Sequence, residues 1–261
     1  MLIDANAHIG HWPFRHRAYN TCATLLSRMD EFGVDKAIIS NMSACLYKNP
    51  QTANAELVKE INSITQSADR FYPLGVINPL YGGWMDDVKI CHEEYGMKGI
   101  KIYPKYHGYE IDDPICEELI ERAHERGLAI AIPLRVVDSR PSSWLDIVEE
   151  FALSDILSLI AKVPDAKFLI QNVSQRSPLS DEEIELVRST DTVIDTSGKR
   201  IDILESWLGV LDEDSFCFGT HSPILDYCTG LLRIESLTAS EADAAVREKL
   251  RSGNIQKLLA I

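Results

Sequence analysis

The strongest constraint on this chain is a rhythm: a short run of apolar, often β-branched residues, then a stretch with helical spacing, repeated eight times. The strand-like runs are Met1–Gly10, Val34–Ser40, Phe71–Asn78, Lys98–Tyr103, Leu128–Val136, Lys167–Val173, Thr192–Ser197 and Ser215–His221. Helical patterns cover about Thr21–Phe32, Gln51–Ser67, Gly83–Tyr95, Pro114–Arg126, Trp144–Lys162, Asp181–Ser189 and Ile201–Val210. The tail from Pro223 to Ile261 reads as helical throughout, with breaks at Gly230 and near Gly253. Strands alternating with helices imply a parallel sheet. Eight such units in about 225 residues, with no ninth strand, fit a (β/α)8 TIM barrel of class α/β better than an open doubly wound sheet. No glycine-rich phosphate turn follows the first strand, which counts against a dinucleotide fold. Residues 1–261 are expected to form one domain.

Catalytic residues of such a barrel come from the carboxyl ends of its strands. In the opening run, period-two alternation predicts Asp4, Asn6 and His8 on one face and Ile3, Ala5 and Ala7 on the other. In the last run Cys217, Gly219 and His221 share a face opposite Phe216 and Phe218. One sheet would bring His8 and His221 together, and two imidazoles can then serve as general acid and base near neutral pH. The same ring would present Asn6, Lys101, Arg135, Asn172, Asp195 and Ser197, with Arg15 reaching over it from the first loop. Lys101 and Arg135 are costly to bury without an anionic partner, so a small carboxylate-bearing substrate is the natural occupant. Arg135 would bind it through two hydrogen bonds, and Lys101 as a point charge or electrophile. Asp195 has two open roles, in catalysis or in neutralising Lys101. His11 and His16 flank an aromatic loop at the expected rim. His92 and His124 fall on helices and His107 in a polar loop, all read as solvated or helix-end residues.

Composition narrows the partners. With 26 Lys+Arg against 40 Asp+Glu, the formal net charge of -14 argues against nucleic acid or an anionic membrane as the main partner. No uninterrupted apolar run reaches ~18 residues. The six cysteines show no CxxC pair and read as reduced, mostly buried thiols, so a cytoplasmic location is expected.

Several short motifs then line up in order: Ile3-Asp4-Ala-Asn6-Ala-His8, Ala53-Asn-Ala-Glu-Leu-Val with Asp69-Arg-Phe71, Gly99-Ile-Lys101-Ile-Tyr-Pro104, Asp195-Thr-Ser197-Gly, Phe218-Gly-Thr-His221-Ser-Pro223, and a closing Gly253-Asn254-Ile-Gln-Lys-Leu-Leu259. Together they resemble the amidohydrolase superfamily, in its amidohydrolase-related branch of decarboxylases and lactone hydrolases. The resemblance spans essentially the whole chain. It implies a divalent metal held by a histidine pair on strand one, histidines on strands five and six, and an aspartate on strand eight. This sequence departs from that set. Asn6, Pro133, Asn172 and His221 stand at the matching positions, and His8 alone of the first pair remains. A zinc or manganese ion would have only Asn6, His8 and His221, fewer good ligands than a catalytic zinc site uses, so a tightly bound ion is not expected. The resemblance thus implies a hydrolase or decarboxylase with an altered or lost metal site, and a homodimer is common in the family. A catalytically inactive barrel that binds an organic acid, and a structural subunit, stay open as alternatives.

Overall fold

A computed structural model describes residues 1–64, 68–138, 142–147, 149–174 and 178–261. Among the described residues nine strands run in parallel: β1 (Ile3–Ile9), β2 (Lys36–Asn41), β3 (Phe71–Pro73), β4 (Gly75–Val76), β5 (Gly99–Lys101), β6 (Ala129–Pro133), β7 (Lys167–Gln171), β8 (Thr192–Asp195) and β9 (Phe216–Cys217). They pair in the orders β1-β2-β3 and β4-β5-β6-β7-β8-β9. The two sheets are one barrel. β3 runs straight into β4 at Leu74, whose N–H still donates to Ile39. The other seam closes where Ala5 and His8 donate to Phe218 and Ser222, and His221 donates to Asn6. Eight strand positions result, as the rhythm predicts.

The barrel interior is built from small and branched side chains, Ile3, Ala5, Ile38, Ala129, Ala131, Leu169, Val193 and Cys217. Their neighbours one residue along, such as Ile39, Ile100, Ile130, Ile132 and Ile194, face the outer helices. Helices Cys22–Phe32, Gln51–Ser63, Trp84–Glu93, Pro114–His124, Leu153–Ile160, Asp181–Ser189, Leu204–Val210 and Tyr227–Glu235 follow the strand positions in turn. Their starts match their sequence: Thr21, Asp113, Ser180 and Asp226 each accept an early backbone N–H, the cap such residues favour.

Four expectations need correction. The strand-one alternation breaks at a bulge, since Asp4 pairs with Ala37 but Ala7 with Ile39. The extra residue flips the strand, so Ala7 joins the outer layer while Ile3 and Ala5 face inward. Asp4 therefore does not share a face with Asn6 and His8. Its carboxylate accepts from the backbone and hydroxyl of Thr220 at 2.9 and 2.5 Å. Second, helix 153–160 is shorter than the predicted Trp144–Lys162. Ser143 is tied to Asp146 in a turn, and Trp144, 90% exposed, finds no apolar face to bury against. Third, the helix predicted to Ser67 ends at Ser63, and residues 65–67 lie outside the described residues. Fourth, the tail is not continuous helix. Residues 236–243 are irregular, and helix resumes over Ala244–Glu248, a π turn over Lys249–Gly253 and Asn254–Leu259. This last segment plugs the amino end of the barrel, with Ile255, Leu258 and Leu259 packed on the interior cluster. Asn254 anchors it by donating to the carbonyls of Glu213 and Phe216.

Candidate active site

At the carboxyl end, the bulge in β1 turns Asn6 and His8 into the barrel mouth opposite His221. His8 Nε2 lies 3.2 Å from His221 Nδ1, with the rings edge to face. The tautomers follow from the partners. His221 Nε2 lies 2.7 Å from the Val136 carbonyl, which can only accept, so this nitrogen carries the proton. In a neutral ring Nδ1 is then bare and accepts from His8 Nε2–H. His8 Nδ1 in turn accepts from the Ser40 hydroxyl at 3.0 Å. One directed chain of protons, Ser40 to His8 to His221 to Val136, crosses the mouth. Both imidazoles are held neutral. Burial, then the charge of Lys101, pushes His8 well below its ordinary pKa. Burial, with Lys101, Arg135 and Arg17, pushes His221 down to about 3.

Asn6 joins this pair to a second network. Its amide nitrogen donates to Asp195 Oδ2 at 2.7 Å and also approaches Ser197 Oγ and His221 Nδ1. Its oxygen accepts from Lys101 Nζ at 3.3 Å. The pairing of Lys101 with Asp195 is therefore not direct but relayed through the Asn6 amide. Asp195 is saturated: the Ser197 hydroxyl and backbone and the Asn172 backbone all donate to Oδ1. Burial raises the Asp195 pKa against these bonds, and lowers Lys101 to about 7 against the pull of Asp195. Lys101, His8 and His221 are each 1% exposed. Trp12, Met42, Tyr103, Val136 and Val137 form an apolar cluster at this end, with Phe14 and Tyr106 against it.

The other predicted residues sit differently. β7 ends at Gln171, which points into the barrel and donates to the Ala5 carbonyl at 2.9 Å. Asn172 turns away with φ 52° and donates to the Arg135 carbonyl, so its side chain braces the loop. Arg135 stands 3.6 Å from both Asp138 and Glu150, an ion-paired side chain at the edge of the ring. Arg15 is exposed, and it is the half-buried Arg17, two residues on, whose charge reaches His221. His107 is not solvated: it lies in a short helical turn with Nε2 3.1 Å from the Ala44 carbonyl. Ser40, Arg17 and Gln171 escaped the sequence reading. Ser40 closes the second predicted strand and Gln171 lies near the end of the sixth, and that position is their only signal.

The family set implies a divalent ion, and the donors here do not fit one. Two imidazole nitrogens converge, but Asn6 turns its NH2 rather than its oxygen toward them. The nearest carboxylate, Asp195, is already saturated, and an ammonium sits beside the amide oxygen. No group of three His, Cys, Asp or Glu side chains that could hold a metal occurs among the described residues.

The structure is similar to 5-carboxyvanillate decarboxylase from Novosphingobium aromaticivorans complexed with manganese and 4-hydroxy-3-methoxy-5-nitrobenzoic acid. The TM-score is 0.76 at 14% identity, over 100% of this chain and 96% of that one. A dihydroxybenzoic acid decarboxylase from Polaromonas, with manganese and 2-nitroresorcinol, gives 0.74 at 15% identity over 99% and 96%. The 2,6-dihydroxybenzoate decarboxylase from Rhizobium gives 0.72 at 13% over 99% and 98%. At such identities the likeness establishes the TIM-barrel fold. No curated protein matches the chain. The amidohydrolase family profile matches residues 44–261, most of the barrel and the closing helix. The chain therefore belongs to the amidohydrolase family.

Proposed function

We propose that this enzyme removes the carboxyl group of a small carboxylic acid as carbon dioxide, with the His8–His221 couple supplying the proton and no resident metal. The observation that carries the reading is the 3.2 Å contact between two neutral imidazoles inside a ring of Lys101, Arg135 and Arg17. An entering carboxylate would offset the positive field that, with burial, keeps the imidazoles neutral. Protonation of the pair then becomes favourable only once substrate is bound. The carbon–carbon bond to the carboxyl group breaks, carbon dioxide leaves, and the electron pair left on carbon takes the imidazolium proton. Water restores the proton afterwards. Lys101 would hold the carboxylate as a point charge, and Asn6, fixed by Asp195 and Ser197, would orient Lys101 and His221 together.

Two considerations favour decarboxylation. Solved barrels of the same fold act on aromatic carboxylates by their printed names. Hydrolysis also needs a general base for water, and Asp195, whose oxygens already accept from Asn6, Asn172 and Ser197, has no free acceptor. The family match favours hydrolysis of an ester or amide as the second reading. Small hydroxybenzoic acids and aliphatic keto acids, incubated with enzyme and followed by carbon dioxide release, would separate these. His8→Ala and His221→Ala should each lower turnover by about 10²–10⁴-fold while both proteins stay folded by circular dichroism. Unchanged turnover in both variants would sink the mechanism. An acid that binds and is recovered intact would make the barrel a carrier.

A further inference from the structure

Outside the ring, between the barrel wall and the outer helices, two further cations are buried without an ion pair among the described residues. Lys199 lies in the loop after β8 and Arg233 comes from helix 227–235, and they are 7% and 6% exposed. Lys199 Nζ sits 3.5 Å from the centroid of the Trp207 ring and 5.9 Å from that of Phe216, and has no hydrogen-bond partner. Arg233 Nε donates to the Lys199 carbonyl at 2.7 Å, which ties the two residues together, but its Nη1 is buried and unpartnered. Among the described residues neither takes part in an ion pair. Asp195 influences both from farther off, and its oxygens are already spent on Asn6, Asn172 and Ser197.

Two like charges in one apolar compartment repel each other, and each loses its hydration. The Trp207 face offsets part of this for Lys199. Among the described residues no atom accepts a hydrogen bond from Arg233 Nη1. An oxyanion would supply negatively charged oxygens to such orphaned donors, in charge-assisted bonds of the kind guanidinium and ammonium groups make with phosphate and carboxylate. We propose that Lys199 and Arg233 form a binding site for an oxyanion, a phosphate or carboxylate group, separate from the His8–His221 couple.

Calorimetric titration of the purified protein at low ionic strength with inorganic phosphate, and separately with acetate, tests this. Binding should weaken about tenfold or more in Lys199→Met and in Arg233→Met. It should persist in Lys101→Met, which distinguishes this site from the barrel mouth. Tighter phosphate than acetate would assign a phosphate group, and the reverse a carboxylate. Because either variant could fail to fold, Trp207 provides a second readout. The bound anion should shift tryptophan emission in the wild type, and Trp207→Phe should abolish the shift. Absence of binding to the wild type, affinity unchanged in both Met variants, or loss of binding in Lys101→Met would each overturn the proposal. Retained binding with the emission shift intact in Trp207→Phe would overturn it as well.

Discussion

His221 illustrates how much chemistry one residue's surroundings can dictate. The Val136 carbonyl fixes its tautomer, burial and nearby cations fix its charge, and the contact with His8 fixes what its bare nitrogen can do. The pH dependence of stability follows with a definite sign. His221 has its folded pKa pushed down to about 3 from an ordinary 6.5, so the unfolded chain binds the extra proton in between. Its stabilising contribution is complete above pH ~6.5 and is lost as pH falls toward 3. Asp4 works the other way. Burial raises it to about 6 from 3.8, so the folded state takes up the proton first and gains stability through that window. Because Asp4 is common to wild type and variant, it drops out of their comparison. In urea titrations between pH 4 and 6, the stability of His221→Gln should therefore fall less steeply than wild type, by about 1.4 kcal/mol per pH unit. Equal slopes would mean that His221 is protonated in the folded protein. Alternation in the predicted runs placed His8, His221, Lys101 and Asp195 toward the ring, although His221 stands four residues beyond β9, at φ 62°. Arg17 and Lys199 were not legible. Their positions depend on how loops lie against helices, which no local periodicity records.

At the scale of elements, the site depends on two irregularities rather than on regular strands. The bulge in β1 carries Asn6 and His8 to the inner face, and an ideal strand from Ile3 would have sent them outward. Alternation from the first residue therefore gave the right facing for Asn6 and His8 but the wrong facing for Asp4, because one inserted residue reverses everything beyond it. The second irregularity is Gly219, just after β9. A Cβ there would lie 2.7 Å from Asp195 Cβ and 2.9 Å from its Oδ2, so β8 and this segment approach closely only because the side chain is missing. Gly219→Ala should cost about 1–3 kcal/mol in denaturant titration and loosen the Asp195–Asn6 bond. Turnover should fall with it. A variant as stable and as active as wild type would show that Asp195 need not be held so tightly. The predicted helix from Trp144 failed for a related reason: its spacing is helical, but its first apolar side chains meet no packing face.

Across the whole molecule, the eightfold rhythm carried the architecture, because a parallel strand needs a crossover helix and eight such units close on themselves. The tail was harder to read. Its helical pattern concealed that residues 254–259 plug the amino end of the barrel, a role visible only from what Ile255 and Leu258 touch. The barrel thus places its plug at one end and the proposed chemistry at the other, where two histidines, one lysine and an amide gather. The central claim is that this group works without an ion. The direct measurement is turnover of a carboxylic acid panel by chelator-treated protein of verified low metal content, beside His221→Ala. The account predicts full turnover in the chelated wild type, none added by manganese or zinc, and loss in the variant. Turnover that appears only when manganese or zinc is restored would contradict it.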